Sequence, residues 1–206
     1  MIDIYKLTLP SYPRKMCRAP TRMSDGRVAA TNGASMIIVP QHDGEFEPTA
    51  PENENKIIEW TDLTSLTDWR PTSSLAMPEL TLCGLCKGSR LIVENVCPDC
   101  DGLGELQHGR HTYTCGECDG DGFNKSRMAT ADDDNAKPCR ECDGLGFAGR
   151  HQPVLVPGIQ AGYALDARQI AQFPAGGEFA VNDGTLDPVR LRGDGWVGLI
   201  MPMIVR

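Results

Sequence analysis

Eight of the nine cysteines in this 206-residue chain fall between positions 83 and 146, in four copies of one short phrase: Cys83-Gly-Leu-Cys86, Cys97-Pro-Asp-Cys100, Cys115-Gly-Glu-Cys118 and Cys139-Arg-Glu-Cys142. A glycine follows two residues after the second cysteine of each copy (Gly88, Gly102, Gly120, Gly144), and the last three copies add another at Gly104, Gly122 and Gly146. Such regular recurrence marks a structural repeat. A Cys-x-x-Cys pair lets two thiolates grip one metal ion from a single tight turn, and a second pair completes a tetrahedron. Four pairs therefore point to two four-cysteine zinc sites. The glycines suit the sharp turn past each pair, and amides freed by that turn can offset the charge on sulfur.

Three rival readings compete with zinc. A disulfide framework suits a small secreted domain, but no secretory signal is readable in the first residues, and four identical pairs favour metal. A thioredoxin-like dithiol needs a strand-to-helix setting that this glycine-rich stretch lacks. Iron also accepts four thiolates, and spacing alone does not choose between the two metals.

The Cys-x-x-Cys-x-Gly-x-Gly repeat resembles the cysteine-rich zinc domain of the DnaJ-type co-chaperones. That resemblance implies two Zn2+ ions, one shared by the outer repeats (Cys83, Cys86, Cys139, Cys142) and one by the inner repeats (Cys97, Cys100, Cys115, Cys118). Two departures stand out: Arg90 replaces the second glycine of the first repeat, and the connection between Cys118 and Cys142 is long and holds Asp132-Asp133-Asp134. No His-Pro-Asp triplet and no J-domain pattern is read in these residues, so a complete co-chaperone is not expected.

Length allows one or two domains, and 40% apolar content is enough for an ordinary core. No apolar run approaches the ~18 residues of a membrane span, and the thiol usage implies the reducing cytoplasm. The net charge is −8, and residues 83–147 carry twelve acids against seven Lys plus Arg. Eight thiolates around two divalent ions would make that stretch more negative still. Because nucleic-acid binding rests on neutralising phosphates, no tight DNA binding by the free protein is expected. Acids also stand within the repeats, at Asp101, Asp119 and Asp143, where a solvated surface explains them as well as an acidic binding face does. The only basic cluster is Arg14, Lys15, Arg18 and Arg22, read as a solvated loop ahead of a phosphate contact, with Cys17 beside it as a packed thiol.

Taken in order, Ile2, Ile4, Leu7 and Leu9 predict a strand ended by Pro10. Residues 27–39 predict a hairpin turning at Asn32-Gly33, the type I′ signal. Residues 43–56 read as an exposed loop, and apolar positions Ile57, Trp60, Leu63, Leu66 and Trp69 suit a short helix or an irregular core segment. Beyond the repeats, Val154 to Val156 predict a strand, Ala161 to Phe173 a helix stopped by Pro174, and residues 188–205 a closing hairpin. The expected class is α+β: residues 1–80 plus 148–206 form one discontinuous domain, interrupted by a mostly hairpin-and-loop two-zinc insertion, 81–147.

The outer domain is similar to one domain of the bacterial DNA polymerase III beta sliding clamp, through Ala30-Thr31-Asn32-Gly33, Tyr163-Ala-Leu-Asp-Ala, Leu186-Asp-Pro-Val189 and the closing Leu199-Ile-Met-Pro-Met203. That resemblance implies antiparallel hairpins backed by helices, and a partner-binding peptide groove at Met201, Pro202 and Met203. A full clamp chain has three such domains and this one has room for one. The segment that would face DNA carries only Arg168 against Asp166, and Ile204 stands where the family ends on a basic residue.

Two functions from different classes follow. One is a non-enzymatic interaction protein, phage- or mobile-element-encoded, engaging replication or other host proteins. The other is a DnaJ-like chaperone or thiol-redox factor for unfolded polypeptides. The four histidines, His42, His108, His111 and His151, fit no ligand or triad spacing, and no phosphate-cradling loop appears, so no enzyme is expected. Partner identity and oligomeric state stay open.

Overall fold

The computed structural model describes residues 2–9, 12–130, 133–149, 151–182 and 187–205. The chain divides into two compact units, one of residues 1–80 with 149–206 and the other of residues 81–148.

In the first unit, β1 (Thr21–Arg22), β2 (Val28–Thr31) and β3 (Ser35–Val39) form an antiparallel meander. Every residue of β2 and β3 is buried, which requires cover on both faces. Strand alternation sorts them cleanly. Val28, Ala30, Ile37 and Val39 enter the main core, whereas Ala29, Met36 and Ile38 join Met23, Ile57 and Leu199 on the opposite face. The turn between β2 and β3 differs from the type I′ expectation, because only Gly33 has positive φ (91°). Asn32 keeps an ordinary φ, and its Oδ1 accepts from the N–H groups of Ala34 and Ser35 at 2.9 Å.

Helix α1 (Pro51–Trp60) takes up residues expected to lie in a loop. Pro51 at its first turn and Glu52 and Glu54 just behind are favourable there, since proline has no N–H to leave unpaired and the acids oppose the helix dipole. It buries only Ile57, and Thr61 Oγ1 donates to the Ile57 carbonyl at 2.6 Å where it ends. Short β4 (Arg70–Pro71) follows. The N-terminal strand is not formed: Ile4–Leu7 is a 3-10 turn that buries Ile4 and Leu7, three residues apart, against the sheet. Pro10 lies outside the described residues.

The second unit contains β5 (Leu91–Val96), β6 (Glu105–His108), β7 (His111–Thr114), β8 (Phe123–Met128) and β9 (Lys137–Pro138). β5 is central, flanked by β8 and β9, while β6 and β7 form a separate hairpin. Its two ends pair with each other: Ala148 N–H donates to the Thr81 carbonyl at 2.8 Å, and Leu82 bridges Phe147.

The first unit resumes with β10 (Pro153–Val154), β11 (Tyr163–Asp166), α2 (Ala167–Ile170), β12 (Glu178–Ala180), β13 (Val189–Gly193), β14 (Trp196–Ile200) and β15 (Met203–Ile204). The large sheet runs β1-β2-β3-β14-β13-β12-β4 and is antiparallel throughout. Leu199 lies opposite Met36, so the closing hairpin is built directly onto the opening one. The helix expected over 161–173 is mostly absent, because Tyr163–Asp166 is held as a strand between β10 and β15 and only four residues remain for α2. The closing hairpin ends at Ile200, after which β15 pairs with β11 instead. Leu186 of the expected 186–189 strand lies outside the described residues, and β13 begins at Val189.

Asp166 and Arg168 fix the return of the chain. Asp166 accepts the Arg168 N–H at 3.0 Å as the cap of α2, and the Arg168 guanidinium turns back onto the same carboxylate at 2.7 Å. Its Nη1 donates to the Gly149 carbonyl at 2.6 Å. Arg168 is 1% exposed and Asp166 7%. Removing one partner of a buried pair strands the other charge, so Arg168→Ala is expected to cost about 3–5 kcal/mol, read as a lowered midpoint in thermal or urea unfolding.

Candidate metal centre

The repeats fold identically because each takes the same left-handed step. The residue directly after the second cysteine has φ near +50° in all four copies, at Lys87, Asp101, Asp119 and Asp143, and the glycine behind it is left-handed too. Aspartate is one of the few side chains that tolerate this region. This step wraps the chain around the sulfurs and returns it.

The eight sulfurs fall into two groups, Cys83, Cys86, Cys139 and Cys142 in one, and Cys97, Cys100, Cys115 and Cys118 in the other. Within each group all sulfurs lie within 4.8 Å of one another, and all eight residues are buried. Cys83 and Cys139 are 3.8 Å apart, Cys86 and Cys142 3.7 Å, Cys97 and Cys115 3.8 Å, Cys100 and Cys118 3.7 Å. These separations are far beyond the ~2.05 Å of a disulfide. Four sulfurs each about 2.3 Å from one ion at the centre of a tetrahedron would be about 3.8 Å apart. Both tetrads therefore have the dimensions to hold a metal ion.

The backbone completes each site. Gly104, Gly122 and Gly146 donate their N–H groups to the sulfurs of Cys100, Cys118 and Cys142, each at 3.2 Å. The knuckles are also clamped in pairs: Cys97 N–H to the Gly122 carbonyl (2.9 Å) and Cys115 N–H to that of Gly104 (2.8 Å), then Cys83 to Gly146 (2.9 Å) and Cys139 to Arg90 (2.8 Å). Arg90 thus occupies the slot of the missing glycine. It adopts the same left-handed φ, 73°, and its Nε donates to the Gly144 carbonyl at 2.7 Å. The knuckle keeps the shape of the other three.

Glycine is more stringently required at the inner tetrad. A methyl group on Gly104 would run into the Gly120 carbonyl, and one on Gly122 into that of Gly102; at the outer tetrad Gly146 has more room, with the Gly88 oxygen 3.1 Å from such a methyl.

Electrostatics oppose four free thiolates. Burial, joined by the neighbouring thiols, pushes Cys97 up to about 12. At Cys100 burial acts in the same sense, but the Gly104 N–H and the surrounding sulfurs outweigh it and bring the thiol down to about 7. Burial likewise raises Cys115 and Cys139. Around the outer knuckles Glu94 is paired with Arg140 at 3.1 Å and Lys137 at 3.6 Å. Asp133 closes the long connection through Arg127 at 2.6 Å and the Thr130 N–H and hydroxyl. It acts as a loop staple, and Asp132 lies outside the described residues.

In the first unit the closing Met201, Pro202 and Met203 are all accessible, with Met201 40% exposed. Met201 lines a cleft of about 230 Å³ with Arg14, Met16, Cys17, Met36, Ile57, Trp60 and Leu199 among its walls; Pro202 and Met203 are outside that lining. Cys17 is buried, and burial raises its thiol against the opposing effect of Arg14. Three members of the basic cluster are engaged within the fold: Arg18 donates to the Tyr12 and Pro13 carbonyls, Arg22 to those of Gly26, His42 and Gly44, and Lys15 pairs with Glu47 at 2.7 Å, while Arg14 lines the cleft. Among the described residues no helix is long and apolar enough to cross a membrane.

No protein-family model, curated protein or solved structure matches this chain.

Gly104→Ala is expected to weaken metal retention at the inner tetrad by about 10–100-fold, the usual loss when a ligand's supporting shell is disturbed. Gly116→Ala, where a methyl group meets nothing within 4 Å, should leave it unchanged. Chelator competition on the two variants measures the difference.

Proposed function

We propose that the chain is a non-enzymatic interaction protein in which residues 81–148 hold two structural Zn2+ ions, in the manner of a DnaJ-type cysteine-rich domain. The observation that carries this reading is the pair of buried four-sulfur tetrads, each with all four sulfurs within 4.8 Å of one another and two of its edges at 3.7–3.8 Å. Four protein ligands fill a tetrahedral ion completely, and a closed site leaves no position for a substrate or an activated water. The ions would therefore supply folding energy. Among the described residues of this unit only Ile92, Val93 and Leu145 are buried apolar side chains other than cysteine, too few for a core. A structural zinc contributes on the order of 10 kcal/mol.

Metal analysis of protein purified without chelator should give two zinc ions per chain. Cys97→Ser should retain one, loosening the inner knuckles while the other unit melts as before. One ion or none in the unaltered protein, or iron in place of zinc, overturns the assignment.

The remaining unit is proposed to act as a single clamp-like domain that engages a protein partner of the replication type at Met201, Pro202 and Met203. Support comes from the accessibility of all three and from the apolar cleft beside Met201, since methionine's flexible thioether adapts to varied apolar side chains. Met201→Lys or Met203→Lys should weaken capture of such a partner with little change in melting temperature. Unchanged capture by both variants places the contact elsewhere. A holdase role is the second reading, favoured by Leu103, Leu106 and Tyr113, which are 78%, 39% and 55% exposed on the inserted unit; suppression of client aggregation by the unaltered protein would select it.

A further inference from the structure

We propose that His108 and His111 form a third metal site, open to solvent, for a divalent ion that favours imidazole, such as Zn2+. Strands β6 and β7 are joined by the two-residue turn Gly109-Arg110, with positive φ at Gly109 (64°) and not at Arg110. That is the type II′ pattern, one of the two turns that close a hairpin with two residues. It sets His108 directly opposite His111 in the ladder. Opposite residues project from the same face with Cβ atoms about 4.5–5.5 Å apart. Two imidazoles starting from that separation can bring a nitrogen each to the ~2.0–2.1 Å that zinc requires by rotating about their own side-chain bonds.

The surroundings leave the pair free to do so. Both histidines are exposed, and neither ring is engaged in a hydrogen bond or ion pair among the described residues. Leu106 and Tyr113 are the next pair on the same face, and the Tyr113 ring lies 6.3 Å from that of His111. Arg110 in the turn opposes a cation, but the unit around it is acidic, twelve acids against seven basic residues over 83–147. Two ligands leave coordination positions for water or for a donor from a bound molecule. The ion would thus be exchangeable, unlike those proposed for the tetrads.

The test is the zinc capacity of the full chain by equilibrium dialysis, compared with His108→Gln/His111→Gln. Tetrad ions are common to both proteins and cancel in the difference, so the outcome is independent of the metal assigned there. The double variant should bind one ion per chain fewer, each single variant should bind the extra ion more weakly, and His42→Gln should match the unaltered protein. Addition of Zn2+ should also shift the imidazole resonances of both residues. Equal capacity in the unaltered protein and the double variant overturns the proposal.

Discussion

Four buried sulfurs gathered within 4.8 Å of one another cannot all carry charge unless something positive stands among them. That constraint organises the whole of residues 81–148. Without a cation only part of each tetrad can ionise: against their burial, Cys83 and Cys100 are lowered by neighbouring N–H groups and thiols, while burial raises Cys97, Cys115, Cys139 and Cys142. With one, the backbone N–H groups of Gly104, Gly122 and Gly146 find anionic acceptors and strengthen, because hydrogen bonds to charged groups are worth more than neutral ones. The paired clamps between knuckles then follow from the same turn, since each donates its first-cysteine N–H to the carbonyl its partner presents. Strands β5 and β8 connect one tetrad to the other, and the acid on β5, Glu94, is balanced by Lys137 and Arg140.

The first unit rests on a different principle. Its sheet is covered on both faces, and its middle is a pair of hairpins, β2-β3 and β13-β14, contributed by chain segments on either side of the insertion. Such a sheet tolerates an interruption when the inserted segment leaves where it enters, and the hydrogen bond between Thr81 and Ala148 provides that closure. Immediately after it, Arg168 holds the Gly149 carbonyl while Asp166 holds Arg168. A buried ion pair is seldom the most stabilising choice for a core. Here it fixes the path of the strand that starts the second half.

What the sequence made legible was whatever depends on near neighbours. Four Cys-x-x-Cys phrases announce themselves because both ligands and the turn lie within a few residues, and the 27–39 hairpin shows for the same reason. The misread segments are those whose state is decided at a distance. Tyr163 to Asp166 satisfies a helical pattern as well as an extended one, and its strand exists because β10 and β15 flank it. Helix α1 was hidden by its polar composition, since it buries Ile57 alone, although Pro51 followed by Glu52 and Glu54 was a usable start signal. His108 and His111 carried no recognisable spacing, because three residues apart means opposite only when the two between them form the whole turn.

The acids within the repeats show how a charge pattern can arise from something other than charge. Asp101, Asp119 and Asp143 stand at equivalent places and read naturally as an acidic face. Their common property in the fold is φ of 50°, 49° and 54°, which most side chains avoid. If negative charge were what the position demanded, the first copy would carry it as well. It carries Lys87, opposite in charge and identical in conformation, φ 52°. Glycine already fills the next position in every copy, so the chain takes two left-handed residues in succession, and aspartate is the residue that accepts the first of them while remaining solvated. Backbone geometry around the sulfurs thus accounts for these three acids, and the negative charge of the unit gives no independent reason to place a basic partner there.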